Sequence, residues 1–168
     1  MAGLAEADRQ ALERRYKSAS FLAYACGGAA VVFLLLGRLV TMAVSWQGEM
    51  VRGFYYVALG LGMLAVMTRR AMLSQMQMRL IHRRGVSATL GRLGTVSIAC
   101  VLLGVITALL GMTASLLGDM QYSWRLGVIG LLLIVYGFPR RGEWERNAKM
   151  AAEMSADKRD TDAGGLFT

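Results

Sequence analysis

The chain has 168 residues, 55% hydrophobic and 18% charged, with a formal net charge of +8. Soluble domains carry about 25% charged residues, whereas residues 50–118 here hold no Asp or Glu at all, which excludes a water-facing surface of that length. The basic residues lie where apolar runs end and no RNA- or DNA-binding motif accompanies them, so the pI near 10.1 points to the inner loops of a membrane protein and not to a nucleic-acid partner.

Residues 1–17 predict an amphipathic N-terminal helix with Leu4, Ala11, Leu12 and Tyr16 as its apolar edge. It either lies on the inner membrane surface or extends the first span. Glu6, Asp8 and Glu13 interrupt its basic residues, and the segment reads neither as a secretory signal nor as a mitochondrial presequence.

Residues 18–68 predict a first transmembrane hairpin. The run from Ser18 to Gly37 continues past Arg38 to Trp46, and roughly 20 apolar residues suffice to cross a bilayer core. Arg38 then sits near the outer interface, where it can snorkel, and Trp46 suits the interfacial belt. A short loop, 47–52, leads to a second run, Gly53 to Thr68, with Tyr55 and Tyr56 near its outer end.

Residues 69–92 predict a basic inner connector opening on Arg69-Arg70 and holding Arg79, His82, Arg83 and Arg84. Its Met-rich part, with Met72, Met76 and Met78 beside Leu73, Leu80 and Ile81, predicts a helix ending near Gly85. That helix is a lipid-binding surface, a docking surface for a partner protein, or a plain connector between spans. His82, the one histidine, reads as a solvated loop residue and not as a haem or metal ligand.

Residues 93–139 predict a second hairpin, with a long run from Leu93 to Gly118, an outer turn over 119–123 and a shorter run from Trp124 to Phe138. Pro139 stops it ahead of Arg140-Arg141. Residues 140–168 predict a polar inner tail, helical over 142–158 and flexible over DTDAGGLFT.

Sixteen of the nineteen Lys and Arg residues fall in the N-terminal segment, the connector and the tail; only Arg38, Arg52 and Arg125 fall outside. Translocating positive charge is disfavoured, so both termini are expected on the cytoplasmic side. The expected fold is all-α, a polytopic membrane protein with four transmembrane helices, N-in and C-in.

The halves also match. Ala25-Cys26 pairs with Ala99-Cys100, and Leu35-Leu36-Gly37 with Leu109-Leu110-Gly111, both at an offset of 74, while Arg52 pairs with Arg125 and Arg69-Arg70 with Arg140-Arg141. A duplicated hairpin with both copies oriented alike is expected. The layout resembles the proteolipid rotor of vacuolar-type ATPases, but that family needs a mid-membrane carboxylate, which the second and fourth runs do not offer.

Small residues recur along one face of each long run. Those chosen as helix-packing or interface positions are Gly27, Ala30 and Gly37 in the first, and Gly104, Ala108, Gly111 and Ser115 in the third. Small residues let helix backbones approach closely in lipid, so the two helices form a tight central pair or line a subunit interface. Cys26 and Cys100 read as small apolar packing residues.

No nucleophile–base pair, phosphate loop or ligand cluster is visible, so no catalytic residue, cofactor or metal is expected. The leading expectation is a non-catalytic structural or assembly subunit that binds itself or other membrane subunits. A small oligomeric channel or transporter, with Arg38, Arg52 and Arg125 as a positive outer entrance, is the alternative, and a lipid- or partner-binding adaptor is the third reading. Anionic lipid on the cytoplasmic side is expected to meet Arg69, Arg70, Arg79, Arg83, Arg84, Arg140 and Arg141. The expected location is a bacterial inner membrane, with an organellar inner membrane as the alternative.

Overall fold

The computed structural model describes residues 5–39, 48–118 and 120–164. The expectations for Leu4, Trp46, the inter-helix residues around Gln47, Asp119 and the last four residues lie outside that range. The described residues form six α-helices and no strand: α1 (Glu6–Leu39), α2 (Gly48–Met72), α3 (Gln75–His82), α4 (Val86–Leu116), α5 (Met120–Gly137) and α6 (Arg141–Gly164).

Helix α1 is one unbroken rod of 34 residues, so the N-terminal amphipathic segment extends the first apolar run and is not a separate surface helix. At the join, the Ser18 hydroxyl bonds back to the Arg14 carbonyl at 3.1 Å, which satisfies the polar group without interrupting the helix. Its apolar edge meets protein: Leu12 is buried and Tyr16 lies edge-on to Trp144, with centroids 5.8 Å apart.

Several boundaries differ from the sequence expectation. Helix α2 already begins at Gly48, inside the stretch assigned to the outer loop, and runs past Arg69-Arg70 to Met72. The connector then breaks at Leu73-Ser74 before the two-turn α3, and Gly85 adopts φ +96°, a left-handed turn that releases the chain into α4. Helix α4 starts seven residues ahead of the apolar run, because Val86, Thr89 and Leu90 pack into the inner end of the fold. Helix α6 continues to Gly164, so residues 160–164, expected to be flexible, are helical. Buried Pro139 separates α5 from α6.

Three stretches, Glu6–Leu39, Val86–Leu116 and Gln121–Asp157, are long and apolar enough to cross a membrane. Large apolar side chains point outward from each: Phe21 is 76% exposed, Leu102 47% and Val135 65%. Apolar exposure on this scale is at home in hydrocarbon, not in water.

Helix α4 is the hub and touches all five other helices, most intimately α5. Helices α1 and α4 run parallel: Arg15 bonds the Ser87 carbonyl at one end (2.9 Å), and Gly37 meets Ser115 at the other. Helices α2 and α5 run antiparallel to α4. The Cys100 thiol donates to the Ala65 carbonyl at 3.7 Å while Ala58 packs with Ala114, and Gly137 lies against Cys100 while Gly127 lies near Gly111. Among the described residues, α1 and α2 each pack on the α4–α5 pair and not closely on one another.

At the end of the bundle where α4 begins, α1, α3, α4 and α6 enclose a further core around Trp144, which is 2% exposed, with Leu12, Met78, Leu90 and Ala148. Met78 and Leu73 of the Met-rich segment face this core.

Candidate functional site

The α4–α5 seam brings two backbones to the limit of approach. A Cβ placed on Gly104 would lie 2.6 Å from Ile134 Cγ1 and 2.8 Å from the Gly130 carbonyl oxygen. One on Gly130 would lie 2.7 Å from the Gly104 carbonyl oxygen, and one on Gly137 2.7 Å from Cys100 Cβ. Gly111 faces the Gly127 amide and the Ser123 carbonyl, each 3.0 Å from its virtual Cβ. Such spacing maximises dispersion and weak Cα–H···O contacts, the main attractions left between helices once the solvent is itself apolar.

The stripe residues of the two long helices sit at contacts within the chain. Gly104, Ala108 and Gly111 face α5; Ser115 is buried against Gly37 and donates its hydroxyl to the Gly37 carbonyl. Ala30 is fully buried, and Gly27 approaches Ile134. The complementary glycines Gly127, Gly130 and Gly137 carry no part in the sequence reading, although their steps of three and seven place them on one face of α5. Cys26 and Cys100 are free thiols in different apolar clusters.

Two hydroxyls of α4 are satisfied within their own helix. Thr107 and Thr113 donate to the carbonyls of Leu103 and Leu109, four residues back, at 2.9 and 2.8 Å. Lipid offers no alternative partner, so this back-bonding removes a cost that would otherwise oppose insertion.

The outer arginines stack on aromatic rings. Arg38 lies 5.4 Å from the Trp124 ring centroid and Arg125 5.7 Å from that of Tyr122, which in turn contacts Tyr55 edge-on at 5.8 Å. Arg52 is exposed on the first turns of α2. Two of the three are thus held against aromatic rings.

The inner basic set divides. Arg69 is only 15% exposed at its side chain: it ion-pairs with Glu143 at 3.3 Å, lies 4.6 Å over the Tyr136 ring and donates to the Tyr136 carbonyl. That carbonyl belongs to the last turn of α5, where the helix leaves acceptors without intrahelical donors. One guanidinium therefore ties together α2, α5 and α6. Arg70, Arg79, Arg83, Arg84, Arg140 and Arg141 are exposed, and Arg141 pairs with Glu145 one turn on (2.8 Å).

His82 overturns the expectation of a solvated loop residue. It is 3% exposed on the last turn of α3, beside Asn147 of α6. Burial lowers its pKa below the ordinary 6.5, and the Asn147 side chain opposes that shift only in part. Among the described residues no group of three metal-ligating side chains comes together.

No protein-family model, curated protein or solved structure matches the chain.

Two outcomes follow from this geometry. Gly104→Ala should destabilise the bundle by about 1–3 kcal/mol through overpacking, whereas Gly60→Ala, whose Cβ meets nothing within 4 Å, should be neutral or stabilising by up to about 1 kcal/mol; denaturant unfolding in mixed micelles separates them. For His82, the folded chain holds the neutral form, so the unfolded chain binds the proton first as pH falls. Its contribution is full above the ordinary pKa of about 6.5 and is lost progressively below it. Thermal midpoints in detergent should drop between pH 7.5 and pH 5.5, and His82→Gln should flatten that dependence.

Proposed function

We propose that this chain is a non-catalytic integral membrane subunit, crossing the bilayer four times with both ends in the cytoplasm, that serves as a structural or assembly component of a homo-oligomer or a larger membrane complex. The parallel alignment of α1 and α4 supports the count of spans. If both cross the bilayer in the same direction, the chain between Leu39 and Val86 must return across it, and the 25-residue α2 is the segment that can do so. At ~1.5 Å per residue it exceeds the ~30 Å of a bilayer core. The asymmetry of Lys and Arg then orients the bundle. The parallel long helices also agree with duplication of a hairpin, the second copy having closed more tightly. The Arg-, Ala- and Gly-rich composition favours a bacterial inner membrane, with an organellar inner membrane as the alternative.

The observation that carries the assembly reading is the contrast between α2 and its neighbours. The small-residue faces of α4 and α5, with Ala30 and Gly37 of α1, are occupied inside the chain, so they are not what a partner would meet. Helix α2 touches the bundle along a narrow edge marked by Ala58 and Ala65. It turns outward Tyr56 (71% exposed), Met63 (71%) and Met67 (66%), with no protein within 4 Å of the open positions at Gly53 and Gly60. Small and Met-rich surfaces pack readily against another helix. We place the subunit contact there.

A photo-crosslinking residue at Met63, tested in native membranes, should give a discrete protein adduct, either a dimer of the chain or a heteromer. The same probe at Leu132, on the exposed face of α5, should give none. No adduct from Met63 under conditions that label the surrounding lipid would overturn the assembly reading.

A further inference from the structure

The corner where α5 turns into α6 joins an apolar groove to a basic hollow, and the two share one residue. Between α1 and α5 runs a groove of about 450 Å³ whose walls include Gly27, Gly28, Val31, Leu131 and Val135. Its inner end is marked by the edge-on pair of Tyr24 and Phe138, with centroids 5.0 Å apart, and by Arg140. Arg140 also lines a polar hollow of about 760 Å³ with Arg146, Asn147, Glu143 and Gly142, the last two in the first turn of α6.

The charge in that hollow is unbalanced. Glu143 is already neutralised by Arg69, which is held against Tyr136. Arg140 and Arg146 are both exposed and form no ion pair among the described residues. Two guanidiniums beside the amino end of a 24-residue helix make a site for phosphate, since the helix end adds its own positive potential. The groove descends from Phe138 to Leu131, roughly 10 Å along the helix at its usual rise, and its surface is mostly apolar. A ligand that fits both parts carries an anionic head and a hydrocarbon tail.

We propose that this corner binds one anionic phospholipid of the cytoplasmic leaflet, with its phosphate between Arg140 and Arg146 and an acyl chain in the α1–α5 groove. The leaflet assignment rests on the orientation proposed above, but the site itself does not depend on the subunit contact at α2. Gly27 and Gly28 keep the groove open. A Cβ on Gly28 would touch nothing within 4 Å, so this position in the groove wall has room for a side chain. Arg140 is then the hinge of recognition, since it lines both the headgroup hollow and the mouth of the tail groove.

Native mass spectrometry of the full chain in mild detergent tests this, with phosphatidylglycerol or phosphatidylcholine of identical acyl chains added in a titration. The wild type should retain one phosphatidylglycerol at least tenfold more tightly than phosphatidylcholine. Arg140→Gln/Arg146→Gln should erase that preference, Gly28→Leu should weaken both lipids, and Arg84→Gln should change nothing. Circular dichroism of each variant checks that the fold is retained. Equal retention of the two lipids by wild type overturns the site, as does unchanged binding in the double variant or in Gly28→Leu. Displacement by millimolar inorganic phosphate would reduce it to a plain anion site, and an Arg140-dependent dimer free of lipid would reassign it to protein. Success or failure here leaves the Met63 adduct to be scored separately.

Discussion

The fold depends on how closely the backbone of α4 approaches that of α5. In hydrocarbon, apolar side chains gain nothing by leaving the solvent, so helix association must come from dispersion, weak Cα–H···O contacts and a few hydrogen bonds. Each of these decays within an ångström or two. Glycine at 104, 111, 130 and 137 removes the side chains that would hold the two helices apart. The α4–α5 pair so formed is the surface on which α1 and α2 are laid.

Where the helices leave the membrane, the solvent changes and so does the chemistry of cohesion. The amino-terminal ends of α1 and α4 pack with α3 and α6 into a separate small core around Trp144, Leu90 and Leu12. Arg69 joins the two regimes. Its guanidinium reaches from the end of α2 to the frayed carbonyl end of α5 and to Glu143 on α6, so the membrane bundle and the cap are locked in one orientation. His82, buried neutral beside Asn147, makes the docking of α3 the acid-sensitive part of this cap.

Much of the helical content was legible in the sequence because long apolar runs have few structural options. The first and third runs emerge as α1 and α4, and the small residues at 27, 30, 37, 104, 108, 111 and 115 all lie where helices meet. Gly127, Gly130 and Gly137 were equally readable by spacing but lie in a short run, where three glycines look like compositional scatter. The inner core was harder to see. Trp144, Ala148 and Ala151 fall at steps of four and three on one face of a polar helix, yet what covers that face comes from residues more than fifty positions away. The burial of His82 arises in the same way, since a basic eight-residue helix reads as a solvated loop until α6 closes over it. The corner at Arg140 is visible only in three dimensions, because its apolar and basic walls come from four helices.

Paired-cysteine cross-linking across α1 and α4, in membranes and with Cys26 and Cys100 replaced by Ala, tests the arrangement most directly. At the outer end, a Cβ on Gly37 would lie 3.3 Å from Ser115 Cβ, near the roughly 3.8 Å of a disulfide. Gly37→Cys with Ser115→Cys should therefore oxidise to an intrachain bond. Arg15→Cys with Ser87→Cys should close with a short bifunctional thiol reagent, and Arg15→Cys with Ser115→Cys should stay open. Closure of that mixed pair, or failure of both matched pairs, would contradict a parallel α1 and α4 and the bundle built on them.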